Sequence, residues 1–184
     1  MSETERAVVE LMAFYARLPH TLELPLAALA EPLSVVLHAF RRAHITPGSR
    51  VLVLGAGAVG LLVCSLSRAS GCTTVVAVDI EQGKLDFAKE MDWVTGTFTL
   101  PKGPRVSGLD ALEVAKVGWE GLQGCEGVTM VEGLGEGFDA VFECTGVESC
   151  MQLSVMVSQP VPQLPKLFLL DSAFDTGPLI GVVS

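Results

Sequence analysis

Apolar residues along this chain fall in short unbroken runs, separated by helix-length stretches of mixed polarity. Arg50–Leu54 (RVLVL) and Thr74–Val78 (TVVAV) are dense in β-branched and aliphatic residues, the pattern of strands buried on both faces of a sheet. Asp139–Glu143 has the same pattern, and Phe98–Leu100 is a candidate short third strand. Between them, Leu61–Ser70 predicts a helix closed by Gly71, glycine being favoured just past a helix end. Gln82–Asp92 has a helical pattern with Leu85 and Ala88 toward the sheet and Phe87 as a further candidate. Leu109–Glu120 predicts a helix whose apolar side holds Leu112, Ala115 and either Val117 or Trp119, and a last helix runs from about Glu148 to Val157. Strands alternating with helices of this length predict β-α-β units and a mostly parallel sheet.

The flanks are less regular. Residues 1–24 form a loosely specified lead-in with a candidate helix at Glu3–Arg17. From Pro25 a helical stretch runs to about His44, and Pro32 inside it is expected to kink or restart the helix. Thr46–Ser49 (TPGS) is a turn. Residues 101–108 are turn-rich, and Gly121–Gly137 carries six glycines, predicting loop with a candidate strand at Val128–Val131. Ser158–Pro165 holds three prolines, Lys166–Leu170 is a candidate strand, and the remainder trails off in small residues. The expected organisation is a lead-in (1–24), one α/β domain (25–157) and a divergent tail (158–184), with a sheet that has lost its later strands.

Composition narrows the classes. Hydrophobic residues make up 49%, charged residues 18%, and mean hydropathy is +0.49, which supplies a core and argues against a disordered chain. The formal net charge is −9, and no Lys/Arg cluster occurs beyond Arg41–Arg42, so a nucleic-acid partner is not expected. The seventeen uncharged residues between Arg50 and Arg68 approach the ~20 needed to cross a bilayer. Gly55, Gly57 and Gly60 at their centre fit a buried strand-turn-helix instead, and no membrane partner is expected. Five cysteines without a C-x-x-C pair, behind a charged start (MSETER) with no apolar leader, predict free and mostly buried thiols in the cytoplasm.

The chemistry gathers around Gly55-Ala56-Gly57-Ala58-Val59-Gly60, a G-x-G-x-x-G that follows one predicted strand and opens a helix. Asp79 stands nineteen residues beyond Gly60, at the end of the next strand, completing the context that a dinucleotide-binding turn requires. Gly55 allows the tight turn, Gly57 leaves room for a pyrophosphate, and Gly60 lets the helix pack closely on the strand. Amides at Ala58 and Val59, at the positive end of the helix, face the anion. Asp79 accepts hydrogen bonds from the adenosine ribose and repels a 2′-phosphate, which favours NAD over NADP. Lys84, one turn into the following helix, either reaches the adenosine end or is simply solvated. Cys144-Thr145-Gly146 lies at the carboxyl end of a later strand, where ligands bind in open α/β sheets, although every such sheet also needs plain strand-to-helix turns.

Glu31-Pro-Leu-Ser-Val, His38-Ala39, Thr46-Pro-Gly, VLVLGAGAVG, VVAVD, KLDFAKE and FECTG together resemble the zinc-containing medium-chain dehydrogenase/reductase family, in its sorbitol (polyol) and threonine dehydrogenase branch. The resemblance runs from about Pro25 to Val157. It implies a Rossmann-type doubly wound sheet, incomplete here, without the GroES-like domain that supplies a Cys and a His-Glu pair to the catalytic zinc. No Gly-His-Glu motif and no four-cysteine cluster occurs, and His20, His38 and His44 are scattered; a catalytic zinc usually needs three protein ligands. Zinc is therefore not expected to bind. Glu31 alone matches a residue that the family places beside the metal, either as a remnant of that site or as a solvated helix carboxylate, and His38 is expected to be a packed helix residue. Met91-Asp92-Trp93 stands where the family usually has a Gly-Ala turn, and the sequence departs from the family after VMVSQP.

What the resemblance implies is the NAD-binding part of a zinc-dependent polyol or alcohol dehydrogenase, moving a hydride between a secondary alcohol and NAD, and inactive as an isolated chain. The alternatives are a non-catalytic NAD-binding module or a truncated gene product, and, with less support, a methyltransferase of similar sheet topology. Oligomeric state is left open.

Overall fold

The computed structural model describes residues 21–124, 138–157, 166–169 and 182–183. The candidate helix Glu3–Arg17, the candidate strand Val128–Val131 and the proline-rich 158–165 lie outside the described residues. The chain divides into two compact units, Met1–Glu31 and Pro32–Ser184.

Two helices come first, α1 (Leu24–Ala27) and α2 (Ala30–Ala43). Pro25 occupies the first turn of α1, and the helix does restart, but at Ala30 rather than at Pro32. Pro32 falls in the first turn of α2, where a missing N–H costs no intrahelical bond. Val36, Ala39, Phe40 and Ala43 form its buried face. Residues Leu24–Ala43 are long and apolar enough by composition to cross a membrane, yet they are interrupted at residues 28–29.

The α/β unit then follows as β1 (Arg50–Leu54), α3 (Ala58–Ala69), β2 (Thr74–Asp79), α4 (Gln82–Glu90), β3 (Gly96–Thr99), α5 (Gly108–Gln123), β4 (Ala140–Glu143), α6 (Glu148–Val157), β5 (Lys166–Leu169) and β6 (Val182–Val183). The seventeen uncharged residues after Arg50 are thus β1, the glycine turn and most of α3. Sheet order is β3-β2-β1-β4-β5-β6, parallel throughout except for the β5–β6 pair. This is the doubly wound Rossmann order, with the reversal of direction between β1 and β4. Every residue of β2 and β4 is buried, as are Val51–Leu54 of β1, which explains why these strands lack polar alternation. One core layer packs Val51, Val53, Val75, Ala77 and Phe142 against α2, α3 and α4. The other packs Leu52, Leu54, Val76, Val78 and Val141 against α5 and α6.

Several expectations shift in detail. Helix α3 begins at Ala58, not Leu61, because Gly57 takes the N-cap position in extended conformation. Gly71 does close it: with φ +81 it sets up a Schellman pair, Gly71 N–H to Arg68 C=O and Cys72 N–H to Ser67 C=O. The same motif ends α4, where Asp92 holds φ +55 and Asp92 and Trp93 donate to Lys89 and Ala88. Asp92 therefore fills the left-handed position that glycine usually takes. Phe87 faces outward and meets Trp93 edge to face at 5.5 Å. On α5 the buried residues are Ala111, Ala115, Gly118 and Leu122; Val117 is exposed, and Leu112 and Trp119 are half-buried. The tail does not simply trail off, since Val182–Val183 adds an antiparallel edge to β5.

Cys64, Cys72 and Cys150 are buried free thiols, and Cys144 is partly buried. Burial pushes the Cys64 thiol from 9.0 up to about 12, against a smaller opposing effect of a backbone hydrogen bond. A thiol raised by folding adds stability below its unfolded value, and that contribution is lost as pH climbs toward the folded value. The Cys64 contribution to stability should therefore fall between pH 9 and pH 12, by about 1.4 kcal/mol per pH unit. Cys64→Ala should flatten part of that decline in urea melts; an unchanged slope would refute this origin.

Candidate functional site

The glycine turn joins β1 to α3 at the carboxyl end of the sheet, and its three glycines face different surroundings. Gly55 has φ +100, and a Cβ there would lie 2.8 Å from the Thr145 methyl and 3.2 Å from the Cys144 carbonyl. At Gly60 a Cβ would fall 1.8 Å from the Gly55 carbonyl oxygen, so α3 is packed on the turn itself more than on the strand. Gly57 has nothing within 4 Å. The first intrahelical bond is Leu61 N–H to Gly57 C=O, and no side chain caps α3. Amides at the start of an α-helix have no partner within it, so those of Ala58 and Val59 border the open space beside Gly57. The Val59 side chain itself packs into the core.

Asp79 ends β2 with its carboxylate almost fully buried. Oδ2 accepts the Ala56 N–H at 2.7 Å and Oδ1 accepts the Glu81 N–H at 2.8 Å. Lys84 Nζ, half-exposed on α4, lies 3.6 Å from Oδ1, which ties that lysine to the aspartate. The sequence-predicted residues Gly55, Gly57, Ala58, Val59, Gly60, Asp79 and Lys84 are thus brought to one corner of the sheet.

Across the switch point, Cys144-Thr145-Gly146 forms the turn after β4, and its backbone rather than its cysteine side chain faces Gly55. The Cys144 side chain packs against the core under α3. Its thiol is held well above the usual range, by burial first and then by the Glu143 carboxylate, so it is not a ready nucleophile or metal ligand. Cys150, at the start of α6, is raised by burial, with smaller contributions from Glu143 and Asp79 and opposing hydrogen bonds from Thr145 and Ser149.

The residue missed in the sequence is Glu143. It is fully buried at the end of β4. Its Oε1 accepts the Thr145 N–H at 2.7 Å and also the Thr145 hydroxyl, while Oε2 accepts the Gly146 N–H at 3.1 Å. A carboxylate closing an otherwise apolar strand was the available signal, because a buried charge needs dedicated partners.

The described residues do not assemble a zinc site. Glu31 is exposed in the first turn of α2, and His38 and His44 are exposed farther along. His38 is thus not the packed residue expected, since it lies off the Val36–Ala39–Phe40 face. Among the described residues no group of three His, Cys, Asp or Glu side chains could hold a metal ion.

Comparison with known proteins agrees with this fold. The profile of a family described as zinc-binding dehydrogenase matches residues 58–161. A probable D-xylulose reductase A of Emericella nidulans is 36% identical over 147 residues, covering 80% of this chain and 36% of that protein. D-xylulose reductase A of Aspergillus oryzae is 37% identical over the same length and coverage. Among solved structures, a zinc-binding dehydrogenase of Sinorhizobium meliloti 1021 bound to NADP superposes with TM-score 0.62 at 26% identity, over 90% of this chain and 42% of that one. Galactitol-1-phosphate dehydrogenase of Escherichia coli gives TM-score 0.53 at 26% identity, over 84% and 37%. The chain spans about a third of the length of the two reductases.

Proposed function

Because this chain belongs to the zinc-binding dehydrogenase family, we propose that it binds NAD and presents it for hydride transfer with a secondary alcohol of a polyol. One observation carries this: Gly57 faces open space while its two neighbouring glycines are packed against protein. That leaves exposed backbone N–H groups at a helix start with open space beside them, the polarity that a diphosphate needs. The amides of Ala58 and Val59 donate to the diphosphate oxygens. Asp79, already oriented by two backbone N–H groups, accepts from the ribose hydroxyls. Its negative charge opposes a 2′-phosphate, so NAD is preferred although one structural neighbour carries NADP. Lys84 steadies Asp79, and the Thr145–Gly146 turn borders the cofactor on the other side of the switch point. Bound NAD supplies the hydride acceptor.

The described residues give zinc no seat, so polarising the alcohol is not assigned to any of them. We take the 184-residue polypeptide to be a cytoplasmic NAD-binding module that does not turn over by itself. Titration followed by NADH fluorescence tests the core of this. Binding in the micromolar range, at least about tenfold tighter than NADPH, is expected. No binding at about 1 mM NADH would sink the proposal. Zinc-dependent oxidation of xylitol or sorbitol by this polypeptide would overturn its inertness alone.

A further inference from the structure

We propose that Glu143 is a positioning residue for the dinucleotide, acting through the Thr145–Gly146 turn on the glycine loop; this rests on the NAD-binding reading above. Two strands carry the connection. Leu54 and Glu143 are direct partners in the β1–β4 register, and the Cys144 N–H donates to the Leu54 carbonyl at 2.8 Å. The two chain segments therefore leave the sheet side by side, one into the glycine turn and the other into the Thr145 turn.

What shapes the second segment is the buried carboxylate. Glu143 gathers the Thr145 N–H, the Thr145 hydroxyl and the Gly146 N–H, and the Thr145 hydroxyl oxygen in turn accepts the Val147 N–H at 3.0 Å. Gly146 sits at φ +64, a left-handed position that a tight clip of this kind requires. Clipped in this way, Thr145 turns its methyl toward Gly55, so close that a Cβ on Gly55 would meet it at 2.8 Å. The wall behind the glycine turn is thus a threonine held in one rotamer by a carboxylate with no exposed surface. If the clip is released, Thr145 and Gly146 lose the acceptors that fix them, and the diphosphate loses a rigid backing. The Asp79 corner, held by its own bonds to Ala56 and Glu81, is untouched.

That separation gives the test. The 184-residue protein, its Glu143→Gln variant and its Thr145→Val variant are titrated with ADP-ribose and with AMP, alongside thermal melts. Thr145→Val keeps the methyl against Gly55 but removes the hydroxyl, and it serves if Glu143→Gln does not fold. A positioning role predicts ADP-ribose binding at least about tenfold weaker in either variant, with AMP binding within about threefold of the parent. Glu143→Asp, too short to span the turn, should not restore binding, whereas Thr145→Ser, which keeps the hydroxyl but loses the methyl against Gly55, should bind ADP-ribose more tightly than Thr145→Val yet less tightly than the parent. Equal losses for both ligands, or no loss in a folded variant, would overturn the role of Glu143 and leave the NAD reading standing. Failure of the parent protein to bind ADP-ribose would overturn both.

Discussion

Gly60→Ala should lower the melting temperature of the unliganded protein by about 6–12 °C, whereas Gly57→Ala should leave it nearly unchanged. The contrast follows from what each new methyl meets. At position 60 it falls 1.8 Å from a backbone carbonyl oxygen and 2.9 Å from the carbonyl carbon of Gly55. Backbone cannot rotate away as a side chain can, so α3 must shift on the turn, at a cost of about 3 kcal/mol or more. At position 57 the backbone is extended (φ −77, ψ −172) and nothing lies within 4 Å. An alanine there is sterically free, and the expected stability change is within about 0.5 kcal/mol. Binding should respond in the opposite order. Gly57→Ala puts a methyl where the diphosphate must approach and should weaken NADH at least about tenfold in a fluorescence titration. Equal melting losses at the two positions would contradict this division between packing and access.

Asp79→Ala carries the second large effect. It deprives the Ala56 and Glu81 N–H groups of their acceptor at a site that is almost fully buried. Each lost bond to a charged group is worth about 1.5–3 kcal/mol, so a destabilisation of about 3 kcal/mol is expected in urea melts. Asp79→Asn retains one acceptor oxygen and should cost less. Both variants remove the negative charge that opposes a 2′-phosphate. The preference for NADH over NADPH should shrink toward unity in Asp79→Asn, with NADPH affinity rising while NADH affinity falls. A variant that stays folded and keeps the parental preference would show that discrimination lies elsewhere.

Both predictions start from residues that are conspicuous in the sequence. The strands are legible because Val51–Leu54, Thr74–Val78 and Ala140–Phe142 are buried on both faces, and two-sided burial removes the polar alternation that a half-exposed strand would show. The glycine motif and Asp79 were legible because their spacing spans one β-α-β unit. The face of α5 was harder to read. The pattern found Ala115 but paired it with Leu112 and either Val117 or Trp119, whereas α5 approaches the sheet through Ala111, Ala115 and Gly118, where a Cβ on Gly118 would lie 3.0 Å from Leu100. A hydrophobicity pattern rewards bulk, while close approach selects its absence. Phe87 misled for a related reason: its ring is apolar, but Trp93 gives it a partner outside the core. The two residues of β6 are too few for any periodicity. Glu143 escaped notice because its partners include the backbone and hydroxyl of the turn that follows it, a local arrangement that depends on the turn rather than on any spacing of side-chain types.

The tethering of Asp79 bears on the thermodynamics of any encounter at this corner. Both carboxylate oxygens are anchored to main-chain donors before a ligand arrives, so the rotamer freedom of that side chain is surrendered during folding. A long surface carboxylate recruited from solvent would lose about 0.5–1.5 kcal/mol of such freedom at the moment of association. Here that entropy has already been spent, and a sugar meets acceptors whose direction is preset.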